Sequence, residues 1–342
     1  VTRNISRQNG REVFFCCTGP GYAAGPAELG DLQPVWAEGF GAPESSPAGG
    51  LAAATPVTWV RGTGAHSAAL GGLHLQARAG VPSRPVVLGG RLLGVAWDGP
   101  EATECYLAGL HATDTSRPAP VQARQTYELM EDALAQVGMA FGHVVRTWLF
   151  LDDILAWYGP FNQVRTTFFR ERGVFDGLVP ASTGIGGGNP YGAAMVAGLY
   201  AVKPHSPAVQ VAAVPSPLQC PALQYGSSFS RATEVRMADL HRLLVSGTAS
   251  IDPEGNTQHV GDTARQIART CEVVEAILTS RGMGWEDVTR ATAYYRDGAE
   301  APLFTAYWES TGRPALPLVH AENVICRHDL LFELEVDATR GL

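Results

Sequence analysis

Residues 331–336 read Leu-Phe-Glu-Leu-Glu-Val, with Asp337 next. On a strand, successive side chains face opposite ways, so Glu333, Glu335 and Asp337 share one face and Phe332, Leu334 and Val336 the other. The pattern has two readings. One is a solvated acidic face over a packed apolar one. The other is a cleft, in which desolvation and acidic neighbours raise the Glu333 pKa until its carboxyl donates a proton near neutral pH. Upstream, Tyr225-Gly226-Ser227-Ser228-Phe229-Ser230-Arg231 gathers an aromatic hydroxyl, small donors and a guanidinium. That mixture suits a small carboxylate ligand, and an edge strand with an ordinary surface arginine is the plain alternative. Residues 246–250, around Gly247, are small and follow an apolar run. They admit the close approach of a ligand or of another backbone, as a tight turn or bulge also would.

Arg146, Arg165, Arg231, Arg290 and Arg296 are candidate anion ligands, with surface ion pairing as the alternative for each. Tyr158 precedes Arg165 by nearly two helical turns, which puts both on one helix face. Cys326 lies on the approach to the Glu333 strand and reads equally as a small buried hydrophobe. The run Gly184-Ile185-Gly186-Gly187-Gly188 is not a phosphate loop, because no Lys-Ser/Thr follows it, and loop geometry explains it. No catalytic triad, zinc-protease, Walker or nicotinamide fingerprint is present.

Positioning these residues requires regular elements. Apolar periodicity predicts a helix over 121–137 that ends at Gly138, then a strand over 144–151. The same order recurs as a helix over 263–278, a glycine at 282 and a strand over 288–295. Laying Gly138 on Gly282 pairs Phe141 with Trp285 and Arg146 with Arg290, a divergent internal repeat. In each copy a second amphipathic stretch follows (159–172 and 301–311), then a proline turn and strands ending in 195–202 or 330–337. Shorter strands are expected over 73–77, 85–88 and 92–97, and a loop over 37–56, which is rich in Gly, Ala, Pro and Ser. The expectation is an α+β protein of two tandem αβ units, 1–210 and 211–342, with mixed sheets packed by helices. Five prolines between 203 and 221 mark the boundary.

Composition narrows the partners. With 25 Lys and Arg against 33 Asp and Glu, the net charge of −8 offers phosphate backbones nothing in bulk, so nucleic acid is not an expected partner. The six cysteines show no CxxC pair and no zinc-ligand spacing, which reads as free thiols in a reducing cytosol. No apolar run approaches the roughly 18 residues of a membrane span, and the chain opens without a signal-peptide pattern. A soluble cytoplasmic protein without metal or cofactor is the expectation.

The repeat unit, with its helix, its 288–295 strand and its terminal Glu-Leu-Glu-Val, resembles the small trimeric RidA/YjgF proteins. A closer resemblance is to the chorismatases, long chains holding a degenerate and an intact RidA-like unit. It rests on Arg146-Thr147-Trp148; Tyr158 with Phe161 and Arg165; Pro180-Ala181-Ser182-Thr183-Gly184-Ile185-Gly186; Tyr225-Gly226 with Phe229 and Arg231; Tyr294 with Arg296; and the run from Cys326 to Glu335. These stretches span about residue 120 to the C-terminus. The small RidA proteins carry an arginine where Ala315-Leu316-Pro317-Leu318 stands here, so imine deamination is not expected.

The resemblance implies cleavage of the enolpyruvyl ether of chorismate. Glu333 would protonate the vinyl methylene, and Tyr158, Arg165, Tyr225, Arg231, Gly247 and Arg296 would bind the substrate, with neither metal nor cofactor. Hydrolytic members, which release a dihydroxycyclohexadiene carboxylate, have alanines at the positions of Gly247 and Cys326. Members that form 3-hydroxybenzoate resemble this chain, and in them the substrate's C4 hydroxyl attacks through an arene oxide. The resemblance therefore implies a 3-hydroxybenzoate synthase type, with hydrolytic cleavage or a non-catalytic RidA-like binding module as alternatives. It implies either a monomer with pseudo-trimer packing or a homotrimer.

Overall fold

The computed structural model describes residues 1–19, 29–41, 55–67 and 69–342. Its strands form three sheets, one more than the two repeats lead one to expect. The first contains β1 (Thr2–Arg7), β2 (Gly10–Thr18), β3 (Gln33–Gly41), β4 (Val57–Arg61) and β5 (Gly72–Ala79) in the order β1-β2-β5-β3-β4. The second contains β6 (Ser83–Leu88), β7 (Arg91–Asp98), β8 (Ala102–Leu110), β9 (Val144–Leu151), β10 (Ala181–Gly186) and β11 (Met195–Pro204), ordered β10-β9-β11-β8-β7-β6. The third contains β12 (Gln210–Val214), β13 (Ala232–Met237), β14 (Leu240–Ala249), β15 (Val288–Tyr295), β16 (Leu318–Glu322) and β17 (Phe332–Gly341), ordered β12-β13-β14-β17-β15-β16.

Without β6 and β12, all three sheets follow one plan: antiparallel pairs throughout, then a final parallel pair, β3 with β4, β9 with β10, and β15 with β16. The fold is α+β, with the repeated unit present three times. The first copy escapes a sequence search because, among the described residues, it has no helix whose period and glycine stop would announce it. The loop expected over 37–56 begins with strand, since Ala37 to Gly41 belong to β3, and its residues 42–54 lie outside those described.

Helices α1 (Ala119–Ala135) and α2 (Ile154–Glu171) cover the second sheet, and α3 (Thr263–Thr279) and α4 (Ala301–Ser310) the third. Asp262 caps α3 by accepting the Arg265 amide at 3.0 Å. Both α1 and α3 stop at a glycine of positive φ, Gly138 (70°) and Gly282 (67°). The next amide returns to the helix, Met139 to Leu134 O at 3.0 Å and Met283 to Leu278 O at 3.1 Å. The repeated Gly-Met dipeptide is thus a repeated helix stop. Ile267, Cys271, Val274 and Leu278 of α3 bury against the third sheet, where Phe332, Leu334 and Val336 form the facing surface. Each such side chain contributes about 1.5–3 kcal/mol.

The opposite faces of the three sheets enclose a common core that includes Trp36, Phe40, Trp148, Ile185, Leu244 and Tyr294. Both faces of β17 are covered, one by α3 and the other by the common core. Glu333, Glu335 and Asp337 are only 5%, 0% and 7% exposed, and the solvated acidic face does not exist. Gly184 and Gly186 belong to β10 rather than to a loop. At one end of the core Gly186 N donates to Val324 O at 2.7 Å and Arg61 N to Gly188 O at 2.8 Å, joining the ends of β4, β10 and β16. No helix among the described residues is long and apolar enough to cross a membrane.

Candidate active site

The junction between the second and third sheets is sewn by Ser246. Its hydroxyl donates to Ser230 O at 2.6 Å and accepts the Ser182 amide at 2.8 Å. Beside this seam lies a pocket. Tyr158 and Arg165 reach it from α2, Ser182 and Gly184 from β10, and Gly247 and Ala249 from the end of β14. The 225–231 segment brings Tyr225, Phe229 and Arg231, and the approach to β17 brings Cys326, Arg327 and Glu333. A non-helical Trp157 (φ −142°) and Pro160 kink the start of α2, as expected where a proline interrupts the hydrogen-bond ladder. Tyr158 and Arg165 nonetheless both face the pocket.

Cations and rings alternate along one wall. Arg165 lies over Phe161 (5.2 Å) and Phe229 (5.8 Å), Arg231 over Phe229 (5.7 Å) and Tyr225 (5.4 Å), and Arg327 over Tyr225 (5.3 Å). None of these three arginines has a carboxylate partner among the described residues. Arg165 donates to Asn162 Oδ1, Arg231 to Cys220 O and Arg327 to Gly255 O. Arg165 Nε and Arg231 Nη2 stay buried without a hydrogen-bond partner. Three guanidiniums held by rings and neutral oxygens, rather than neutralised by acids, form a site for an anion with more than one negative group.

Glu333 faces them. Burial, reinforced by Glu335 and opposed by Arg146, Arg231 and Arg327, pushes its carboxyl up to about 8, so it is a neutral acid at pH 7. Desolvation, with Glu333 beside it, pushes the half-buried Cys326 thiol up to about 12. Burial raises the Tyr158 and Tyr225 hydroxyls as well. Gly247 leaves the room this carboxyl occupies, because a β-carbon on it would lie 2.0 Å from Glu333 Oε1.

Seven of the eight residues anticipated from sequence, Tyr158, Arg165, Tyr225, Arg231, Gly247, Cys326 and Glu333, line this one pocket. Arg296 does not. Its guanidinium donates to Leu330 O at 2.8 Å, to Ile325 O at 3.3 Å and to Arg327 O, and so braces the 325–331 segment from behind. Arg146 and Arg290 are also not anion ligands, since both are spent on buried carboxylates. Arg327 and Phe229 were not singled out as site residues. Both lie within stretches that carry the resemblance, Phe229 inside the 225–231 cluster and Arg327 next to Cys326, and that placement is the signal available in the sequence.

The repeated plan shows why the acid sits at this junction. β14 and β8 carry the same register shift, at Gly247 and Gly109, and each glycine amide donates to a threonine of the neighbouring sheet or strand pair: Thr183 at 3.0 Å and Thr58 at 2.9 Å. Leu334 pairs with the residue after Gly247, and Ala197 with the residue after Gly109. The counterpart of Glu333 is therefore Val196, which has no proton to give.

The Endoribonuclease L-PSP family matches residues 223–340. A 3-hydroxybenzoate synthase of Streptomyces hygroscopicus is 27% identical over 239 residues, which cover 62% of this chain and 67% of that protein. A solved chorismatase structure superposes with a TM-score of 0.72 at 18% identity, covering 97% of this chain and all of the other. The whole-chain superposition shows that the fold is that of the solved chorismatase.

Proposed function

We propose that the enzyme converts chorismate to 3-hydroxybenzoate and pyruvate. One observation carries the proposal: a buried carboxyl, neutral at pH 7, faces three guanidiniums that have no acidic partner of their own among the described residues. Chorismate has two carboxylates for the arginines and one electron-rich vinyl ether for the acid. Glu333 gives its proton to the vinyl methylene, which leaves an oxocarbenium-like carbon on the ether oxygen. The C4 hydroxyl oxygen then bonds to C3 as the C3–O ether bond breaks. Pyruvate departs with the ether oxygen as its ketone, and the hydroxyl proton returns to the Glu333 carboxylate. The resulting arene oxide isomerises to the phenol. Atoms balance without water, and the two products together are isomeric with chorismate.

Gly247 and Cys326 favour this outcome over hydrolysis. Without a side chain at 247, Glu333 can occupy the space beside β14, and the uncharged thiol of Cys326 lies on the same wall. The test is purified protein with chorismate, products resolved by chromatography and pyruvate measured enzymatically. Equimolar 3-hydroxybenzoate and pyruvate are expected. Glu333→Gln should lower turnover by on the order of 10²–10⁴-fold, and unchanged turnover would remove Glu333 as the acid. The diene diol as main product would favour hydrolytic cleavage, and no turnover at all a binding module.

A further inference from the structure

Glu335, two residues beyond Glu333 on the same face of β17, never reaches the pocket, yet it is among the most heavily bonded carboxylates of the chain. Oε2 accepts from Arg146 Nη2 at 2.9 Å and Thr183 Oγ1 at 2.5 Å; Oε1 accepts from Arg290 Nη2 at 2.5 Å and the Tyr294 hydroxyl at 2.9 Å. It is wholly buried. Burial opposes its ionisation, but Arg290, Arg146 and Thr183 prevail and hold it below the usual carboxylate range. Thr183 links this ion to the acid, since the hydroxyl that donates to Glu335 also accepts the amide of Gly247, the residue against which Glu333 rests.

We propose that Glu335 is a positioning residue for the acid: a buried carboxylate fixed by four donors on the acid's own strand face, whose contact with Thr183 holds the Gly247 backbone beneath Glu333. This rests on Glu333 being the proton donor. The charged and titratable groups around Glu333 come from several elements: Arg146 on β9, Tyr158 and Arg165 on α2, Tyr225 and Arg231 before β13, Cys326 and Arg327 before β17, and Glu335 on β17 itself. Arg146, Arg231 and Arg327 favour the ionised acid. Among these groups Glu335 is the fixed anion, and after burial itself it is the largest influence opposing ionisation. The first sheet takes part as well, because Glu38 on β3 binds the Arg290 nitrogen that Glu335 uses.

The experiment compares pH–rate profiles of the full chain with chorismate. In Glu335→Gln the falling alkaline limb should move down by about one pH unit, with KM at acid pH within about twofold of wild type. Glu335→Asp, which keeps the charge, should restore the limb. Removing one partner of a buried ion pair leaves the other charge unpaired and can unfold the chain. The triple variant Glu38→Gln/Glu335→Gln/Arg290→Met, which removes Arg290 with both glutamates that share its Nη2 and leaves Arg146 beside Asp337, serves if the single variant fails to fold, and the same downward shift is expected. A limb that stays in place in the variant that folds, or fails to return in Glu335→Asp, overturns the proposal. Glu333→Gln measured alongside separates the two failures. If it abolishes turnover while the limb ignores Glu335, only the role of Glu335 is lost; if it leaves turnover intact, the acid assignment falls first.

Discussion

A β-carbon on Gly247 would lie 2.0 Å from Oε1 of Glu333, 3.0 Å from its Cδ and 3.2 Å from Cγ2 of Thr183. Even a methyl group at 247 and the carboxyl in its present place exclude each other. The clashing atom ends a flexible side chain, so the backbone need not give way.

Gly247→Ala should therefore fold normally while moving the acid. Total pyruvate release is expected to fall less than about tenfold, an activation cost under about 1.4 kcal/mol, while product shifts from 3-hydroxybenzoate toward the diene diol. Chromatographic product ratios check this, and an unaltered ratio would separate product choice from position 247.

The pH dependence follows from the sign of the Glu333 shift. The protonated form is the active one, and it is present below a pKa of about 8 and lost above it. The rate with chorismate should fall through a midpoint near that value as pH rises, and Glu333→Asp should still show a falling limb. A wild-type profile that is flat from neutral to strongly alkaline pH would contradict a neutral acid.

Arg231 and Arg296 should fail differently. Arg231→Met removes a charge-assisted contact worth about 1.5–3 kcal/mol, so KM should rise roughly tenfold to a hundredfold at near-wild-type thermal stability. Arg296→Met frees three carbonyls behind the 325–331 segment. Its melting temperature should fall by several degrees, with the loss of activity mainly in kcat. Calorimetry and steady-state kinetics on both variants distinguish the roles.

Cys326→Ala removes the thiol from the wall beside Glu333. Product should again move toward the diene diol, with KM little changed. A variant giving only 3-hydroxybenzoate would show that the thiol has no part in the partition.

The elements most legible in the sequence were those carrying their own punctuation. The stop at Gly282 and the apolar period of 263–278 define α3 nearly to the residue, and 288–295 is β15 as expected. The burial of β17's acidic face was not legible, because alternation tells which side chains share a face and not what covers it. The cover is two other sheets, one of them built from residues 2–79 without a helix among those described. Arg296 misled for the same reason. Next to Tyr294 it resembles a ligand, and only the fold brings three carbonyls from residues 325–330 to its guanidinium.

Because Arg165 and Glu333 sit on opposite sides of a seam between two units of a single polypeptide, their meeting is governed by folding rather than by mass action. The seam has no association constant to satisfy. Specific activity should hold steady under dilution that would part free subunits, and each of the other two seams can drift in composition without disturbing this one.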